Sequence, residues 1–374
     1  MLIGVPKEIK NHEYRVGLTP TSVREAVHHG HDAIVESGAG AAIGLRDEDY
    51  SAAGAMVVLE AEEVFARADM IVKVKEPQPG EIAMLREGQI LFTYLHLAPD
   101  PAQTKGLLAS GVTAIAYETV TDGFGGLPLL APMSEVAGRM SIQAGAHCLE
   151  MNQGGRGALL GGVAGVPAAD VLILGGGVVG ANAARIAIGC EARVTVIDLN
   201  LRRLKELDDQ FSSSLNTIYS TVDAIEQHVV NSDLVIGAVL VPGAAAPRLV
   251  SEDMVRGMRR GAVIVDVAID QGGCIETAHA TTHDNPTYRV HDVVHYCVAN
   301  MPGAVARTST FALNNATLPC MLALADKGFV QAMRDDPNLK AGLNVCGGKV
   351  TYEAVARDLN LPYRPADEAL AAAS

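Results

Sequence analysis

The chain has 374 residues, no tryptophan and a net charge of −14, from 29 basic against 43 acidic side chains. That length accommodates two domains, each with its own core, and with aromatics at 4% those cores must be aliphatic. The acidic balance excludes a nucleic-acid or anionic-membrane surface as the working face. Cysteines at 148, 190, 274, 297, 320 and 346 show neither a CxxC pair nor zinc spacing, which reads as reduced core thiols. The N-terminus Met1-Leu2-Ile3-Gly4-Val5-Pro6-Lys7-Glu8 has no signal-peptide layout, so a cytoplasmic protein is expected.

Residues 2–5 read as a first strand, followed by a polar loop through Lys10-Asn11-His12-Glu13-Tyr14-Arg15. Thr19-Pro20 is the start signal of a helix. Strand-like and helix-like pieces then alternate. Ala33–Val35, Met56–Leu59, Met70–Val74, Gln89–Leu95 and residues 112–116 are strands, while Asp47–Gly54, Glu60–Ala68 and residues 101–110 are helices. This rhythm predicts a largely parallel sheet with helices on its faces. His28-His29-Gly30-His31 lies at a helix end without carboxylates in ligand spacing. It reads as a solvent-facing cluster, and no metal is expected.

Pro132-Met133-Ser134-Glu135 opens a long helix to about Met151, with Ser134 as N-cap and Val136, Met140, Ala144 and Cys148 along one side. Next comes the stretch on which the second half turns. Val171–Leu174 is a buried strand, leading into Gly175-x-Gly177-x-x-Gly180, a small-residue helix, and a second strand from Val194 to Ile197 that ends on Asp198. Gly175 permits the tight turn, Gly177 admits a pyrophosphate to the backbone, and Gly180 allows close helix packing. The helix N-terminus suits phosphate. The Asp198 carboxylate suits ribose hydroxyls and repels a 2′-phosphate, which selects NAD although Arg202 and Arg203 follow closely.

Leu234–Leu240 and Ala262–Val267 continue the parallel pattern. Residues 304–327 read as a second long helix bent at Pro319. Its uncharged stretch Thr308–Ala325 contains Asn314, Asn315 and Pro319, and so reads as a buried helix and not a membrane span. The expected architecture is α/β: two Rossmann-like, doubly wound parallel-sheet domains linked by two long helices, with the active site in the interdomain cleft. Residues 1–130 with 327–374 form a discontinuous substrate domain. Residues 131–326 form the NAD-binding domain together with the linking helices.

Ligands in open parallel sheets bind beyond the carboxyl ends of the strands. Lys75 and His96 directly follow strands of the first domain, Arg15 lies in the loop after its first strand, and Asp270 follows a strand of the second. Taken singly, each has a plain structural reading: a solvated arginine, an amphipathic strand end, a core histidine, an Asx turn. Their shared strand-end placement raises all four as candidates.

These stretches resemble the alanine dehydrogenase family along nearly the whole chain. The matching residues include Tyr14-Arg-Val-Gly-Leu-Thr-Pro, Val72-Lys-Val-Lys-Glu-Pro, Leu91-Phe-Thr-Tyr-Leu-His-Leu, Pro132-Met-Ser-Glu-Val-Ala-Gly-Arg, Val265-Asp-Val-Ala-Ile-Asp-Gln-Gly-Gly and Asn300-Met-Pro-Gly-Ala-Val. The resemblance implies reversible, NAD-dependent oxidation of L-alanine to pyruvate and ammonium. Arg15 and Lys75 would bind the substrate, His96 would be the general acid/base, and Asp270 would position or activate water. It places cofactor contacts at Ser134, Val178, Val179, Asp198, Arg203, Ser220, Val239, Leu240, Val267, Ala268, Ile269, Asp270, Val298, Ala299, Asn300 and Met301. It also implies a homohexamer. Some relatives hold a metal through an acid and a late-helix histidine; here that helix reads Cys320-Met-Leu-Ala-Leu-Ala-Asp, without histidine. The nucleotide-binding subunit of proton-translocating transhydrogenase, a saccharopine- or lysine-type dehydrogenase and a silent NAD-binding protein are the alternatives.

Overall fold

Alternation of short aliphatic strands with helices produces one strand order twice. The computed structural model describes residues 1–239 and 246–373. It divides into Met1–Met133 with Val305–Ser374, and Ser134–Ala304.

The first unit contains β1 (Leu2–Val5), β2 (Asp32–Glu36), β3 (Met56–Val58), β4 (Met70–Val72), β5 (Ile90–Thr93) and β6 (Thr113–Ala116). The second contains β7 (Asp170–Leu174), β8 (Arg193–Asp198), β9 (Leu215–Tyr219), β10 (Leu234–Gly237), β11 (Val263–Asp266), β12 (Thr287–Val290) and β13 (Val293–Tyr296). The chain ends in the first unit with β14 (Leu343–Cys346) and β15 (Lys349–Val350).

One sheet runs β3-β2-β1-β4-β5-β6 in parallel and adds β14 and β15 antiparallel. The other runs β9-β8-β7-β10-β11-β13 in parallel and adds β12 antiparallel. Each parallel set has the doubly wound order 3-2-1-4-5-6, with a topological switch point between its first and fourth strands. The sheets are therefore mixed at one edge and parallel elsewhere. Strands β4, β5, β10 and β11 are buried along their whole length, as expected when helices cover both faces.

Local signals explain the helix ends. The Thr19 side chain accepts from Ser22 N and caps the helix Pro20–His28. The helix Ala131–Cys148 begins three residues before the expected cap, so Ser134 lies inside it. The turn at Leu127–Leu130, whose carbonyls already accept from Ala131 and Met133, starts the winding earlier.

Two further expectations change. Residues 305–326, expected with the nucleotide-binding segment, pack in the first unit. Buried Asn314 is the reason: its Oδ1 accepts from Thr19 N and Ser22 Oγ, both at 2.8 Å, and its Nδ2 donates to Gly17 O at 3.1 Å. The helix Ala306–Asp335 contains Pro319, yet non-helical backbone occurs at Gly328, with φ 73° and ψ 153°. Glycine adopts that conformation without a Cβ penalty.

Candidate active site

In the first unit the switch point lies between β1 and β4, and the residues that leave these strands converge there. Gly17 passes so close to β4 that a Cβ on it would lie 2.2 Å from the Val72 carbonyl oxygen. Glu8, leaving β1, accepts from Val74 N at 2.7 Å and Lys75 N at 3.4 Å. Its other oxygen pairs with Lys73 at 3.2 Å, and Lys73 also pairs with Glu81 at 2.6 Å. Burial pulls the Lys73 ammonium down, but the two carboxylates hold it above its ordinary range. This buried triad fixes the backbone that presents Lys75.

Arg15 is buried, and Glu13 grips its guanidinium through Nε–Oε1 at 2.6 Å and Nη2–Oε2 at 2.5 Å. The Nη1 group meets Met133 Sδ at 3.1 Å. Burial alone would lower the Arg15 pKa, and Glu13 raises it instead, so the group stays cationic. Lys75 is different: among the described residues its Nζ makes no hydrogen bond or ion pair within normal range. Burial lowers its pKa, Glu76 opposes, and the charges of Arg15 and Lys10 lower it further. A substrate anion would therefore relieve Lys75 most.

His96 follows β5, the neighbour of β4, and its backbone is left-handed at φ 48°. Such a conformation costs a non-glycine residue about 1 kcal/mol or more. Glu118 holds it there, its Oε1 accepting from His96 N at 2.7 Å and both oxygens from Leu95 N at 3.2 Å. The imidazole lies nearly parallel to the Tyr94 ring, 6.0 Å between centroids, and remains 43% exposed. Tyr94 is anchored by its hydroxyl donating to Leu129 O at 2.6 Å. Arg15, Lys75 and His96 thus rise from consecutive strands of one sheet.

In the second unit the glycine turn leaves β7 at the other switch point. Gly175 has φ 99°, and a Cβ there would lie 2.8 Å from Ala238 O beyond β10. A Cβ on Gly180 would fall 1.9 Å from Gly175 O, whereas one on Gly177 would meet nothing within 4 Å. Gly175 and Gly180 are thus demanded by the fold itself. The open space at Gly177, directly before the helix Val178–Gly189, fits the approach of a phosphate group. Asp198 ends β8, accepting from Gly176 N at 2.6 Å and Asn200 N at 2.8 Å. A carboxylate has about four acceptor positions, so capacity for two ribose hydroxyls remains. Ser220 N donates to Asp198 O, and Arg203 Nε donates to Gly176 O at 2.6 Å. Val239 follows β10, at the same switch point, while Leu240 lies outside the described residues.

Asp270 is exposed on the short helix Val267–Gln271 after β11. That helix hangs on buried Asp266, which accepts from Ala268 N at 3.1 Å, Cys274 N at 3.0 Å and Ile275 N at 3.3 Å. Burial pushes the Asp266 carboxyl up to about 6. Residues 298–301 follow β13 and are braced by residues 281–283: Thr281 N donates to Cys297 O, Ala299 N to Thr281 O, and His283 Nε2 to Asn300 O at 2.8 Å.

Several supporting residues were not singled out from sequence: Glu8, Glu13, Tyr94, Glu118, Asp266 and His283. The polar loop ending at Arg15 was the one visible signal, for Glu13. Two residues of the histidine cluster are hydrogen-bonded to a carboxylate supplied by the late helix, with His29 Nδ1 at 3.0 Å and His31 Nε2 at 2.7 Å from Asp326. Among the described residues no group of three or more His, Cys, Asp or Glu is arranged to hold a metal ion, and no helix is long and apolar enough to cross a membrane.

Two family profiles match the chain: Alanine dehydrogenase/PNT, N-terminal domain, over residues 4–137, and Alanine dehydrogenase/PNT, C-terminal domain, over residues 141–353. The alanine dehydrogenase of Halomonas elongata is 61% identical over 97% of this chain and 98% of its own length. That of Bacillus subtilis is 56% identical over 99% and 98%. A solved L-alanine dehydrogenase superposes with a TM-score of 0.94 at 53% identity, covering 96% of this chain and 99% of its own. A transhydrogenase structure from Sinorhizobium meliloti gives a TM-score of 0.81 at 25% identity over 95% and 100%. With both halves matched and relatives of this identity along its length, the chain belongs to the alanine dehydrogenase/PNT family.

Proposed function

We propose that the chain is an NAD-dependent L-alanine dehydrogenase, interconverting L-alanine with pyruvate and ammonium. The observation that supports the proposal is that Arg15, Lys75 and His96 follow β1, β4 and β5, three neighbouring parallel strands of one sheet, in a chain whose full-length relatives are named alanine dehydrogenases. The first unit would be the substrate-binding half. The second would hold the dinucleotide through Gly177, the helix start at Val178 and Asp198, together with Ser134, Val179, Arg203, Ser220, Val239, 267–270 and 298–301.

When bound, NAD supplies the hydride acceptor at its nicotinamide C4. Arg15 and Lys75 bind the alanine carboxylate, and Lys75 also polarises the oxygen that becomes the pyruvate carbonyl. His96 takes a proton from the substrate ammonium, which frees the nitrogen lone pair needed to form an imine at Cα. Asp270 orients the water that adds to the imine carbon. The first proton of the added water passes to solvent, His96 returns the proton it holds to the nitrogen of the carbinolamine, and ammonia leaves as the carbonyl closes, taking the hydroxyl proton to become ammonium. An imidazole suits this two-way traffic because histidine ordinarily titrates close to neutrality.

Family membership also supports assembly as a homohexamer, which light scattering of the purified chain would test. The activity is tested by absorbance at the NADH band with NAD and L-alanine, beside the reverse mixture of NADH, pyruvate and ammonium. Turnover in both directions is expected, and silence in both with NADH still bound would refute the proposal.

A further inference from the structure

Immediately beyond Asp198 the chain carries two cations and one further anion. Asn200 caps the helix Leu201–Phe211 by accepting from Arg202 N and Arg203 N. This places both arginines in the first turn. One turn on, Glu206 meets both: Oε2 lies 3.0 Å from Arg203 Nη1 and Oε1 lies 3.3 Å from Arg202 Nε. Arg203 is also tied inward, to the Gly176 carbonyl whose own N–H donates to Asp198. Asp198, Gly176, Arg203, Glu206 and Arg202 therefore form one connected row along the edge where an adenosine ribose would lie.

From this row we propose that Glu206 is a second determinant of cofactor choice, acting with Asp198 to exclude a nucleotide that bears a 2′-phosphate. The proposal rests on the dinucleotide reading of this unit. A 2′-phosphate is close to a dianion and is recognised by guanidinium groups. Arg202 and Arg203 are the two guanidiniums beside the acid, and both are already paired with Glu206. Two carboxylates balance two arginines, so the row offers no net positive charge to an added phosphate. The hydrogen bond from Arg203 keeps the Glu206 carboxyl below the usual carboxylate range, so the pairing persists under working conditions. Asp198 blocks by occupying the ribose edge. Glu206 blocks by withholding the cations.

Removing Asp198 alone would then leave a half-built phosphate site, with its arginines still engaged. Removing Glu206 alone frees Arg202 and the Nη1 group of Arg203, whose Nε stays on Gly176 O, while ribose recognition stays intact. The two effects fall on different ligands, which makes them separable.

The test is calorimetric titration of the full chain with 5′-AMP and with 2′,5′-ADP, at low and at high salt. Neither ligand reports on turnover. In Glu206→Gln, 2′,5′-ADP binding should strengthen by about 3- to 10-fold, as expected for partly exposed charges. 5′-AMP should change by less than about 2-fold, the gain should shrink in high salt, and Glu206→Lys should exceed Glu206→Gln. Adding Asp198→Asn to Glu206→Gln should raise the preference for 2′,5′-ADP further. An unchanged ratio of the two affinities in both Glu206 variants would overturn the proposal. Wild-type protein that binds neither ligand would instead overturn the dinucleotide reading beneath it.

Discussion

Glu13 clasps Arg15 with two parallel contacts of 2.6 and 2.5 Å, and neither side chain reaches solvent appreciably. The arginine assigned to the substrate carboxylate is thus already half neutralised, in a geometry that fixes its plane. Among the described residues, its partner in that task, Lys75, is held in no such two-point clasp, and Glu76 acts on it only through its charge. We read the pair as a division of labour in which Arg15 supplies direction and Lys75 supplies a charge that Glu76 and Glu13 offset only in part.

Glu13→Gln should therefore destabilise the fold by about 3–5 kcal/mol, because it leaves a buried guanidinium without its carboxylate. Replacing both residues, Glu13→Leu with Arg15→Met, should cost less than Glu13→Gln alone. Urea unfolding midpoints check this. A double variant less stable than the single one would show that the pair is not acting as a pair.

Lys75 should set an alkaline limit on substrate binding. Its protonated form is the binding form, and burial together with Arg15 and Lys10 lowers its pKa. The alanine KM should therefore rise with pH from a point below the ordinary lysine range. Lys75→Arg should move that limb upward and out of reach, since arginine stays charged. A limb that stays at the same pH in Lys75→Arg would assign it to another group.

For His96 the expected loss on substitution by alanine is about 10²–10⁴-fold in turnover. Glu118→Gln should act more gently and through geometry, since Glu118 holds the left-handed backbone at His96. It should lower kcat more than it raises KM. Near-normal turnover of His96→Ala across pH would remove its acid/base role.

The glycines of the turn should separate fold from ligand. Gly180→Ala places a methyl 1.9 Å from Gly175 O and should cost about 3 kcal/mol or more in stability. Gly177→Ala meets nothing within the protein and should cost at most about 1 kcal/mol as a helix cap. The same change should weaken NADH binding by about tenfold, the equivalent of one lost charge-assisted hydrogen bond. Thermal unfolding and NADH fluorescence titration distinguish the two. NADH affinity unchanged in Gly177→Ala would contradict the phosphate role of Gly177.

What could be read from residues alone was whatever is local. The turn from β7 through Asp198 is one continuous stretch, and Lys75 and His96 sit within three residues of strands whose apolar runs are plain. What escaped reading depends on distance along the chain. Asn314 belongs to the Thr19 loop from 295 residues away, and nothing near either position announces the other, so 305–326 was put with the wrong unit. Asp326 likewise reaches the histidines at 29 and 31 from a remote helix. Glu8 and Glu13 look like solvated loop charges until the fold buries them, and Glu118 until the fold half-buries it. Strands β12 and β15 are short edge strands, β14 lies next to the edge, and their antiparallel pairing carries little pattern. Pro319 drew the bend that Gly328 provides, because a proline breaks helices more strongly on average than a single glycine.

The most direct test of the central claim is turnover of L-alanine deuterated at Cα with NAD, followed by mass analysis of the recovered NADH. The account predicts one deuterium retained in each reduced nucleotide, with unlabelled pyruvate and ammonium released in equal amounts. Deuterium found in solvent, or no reduction of bound NAD, would contradict it.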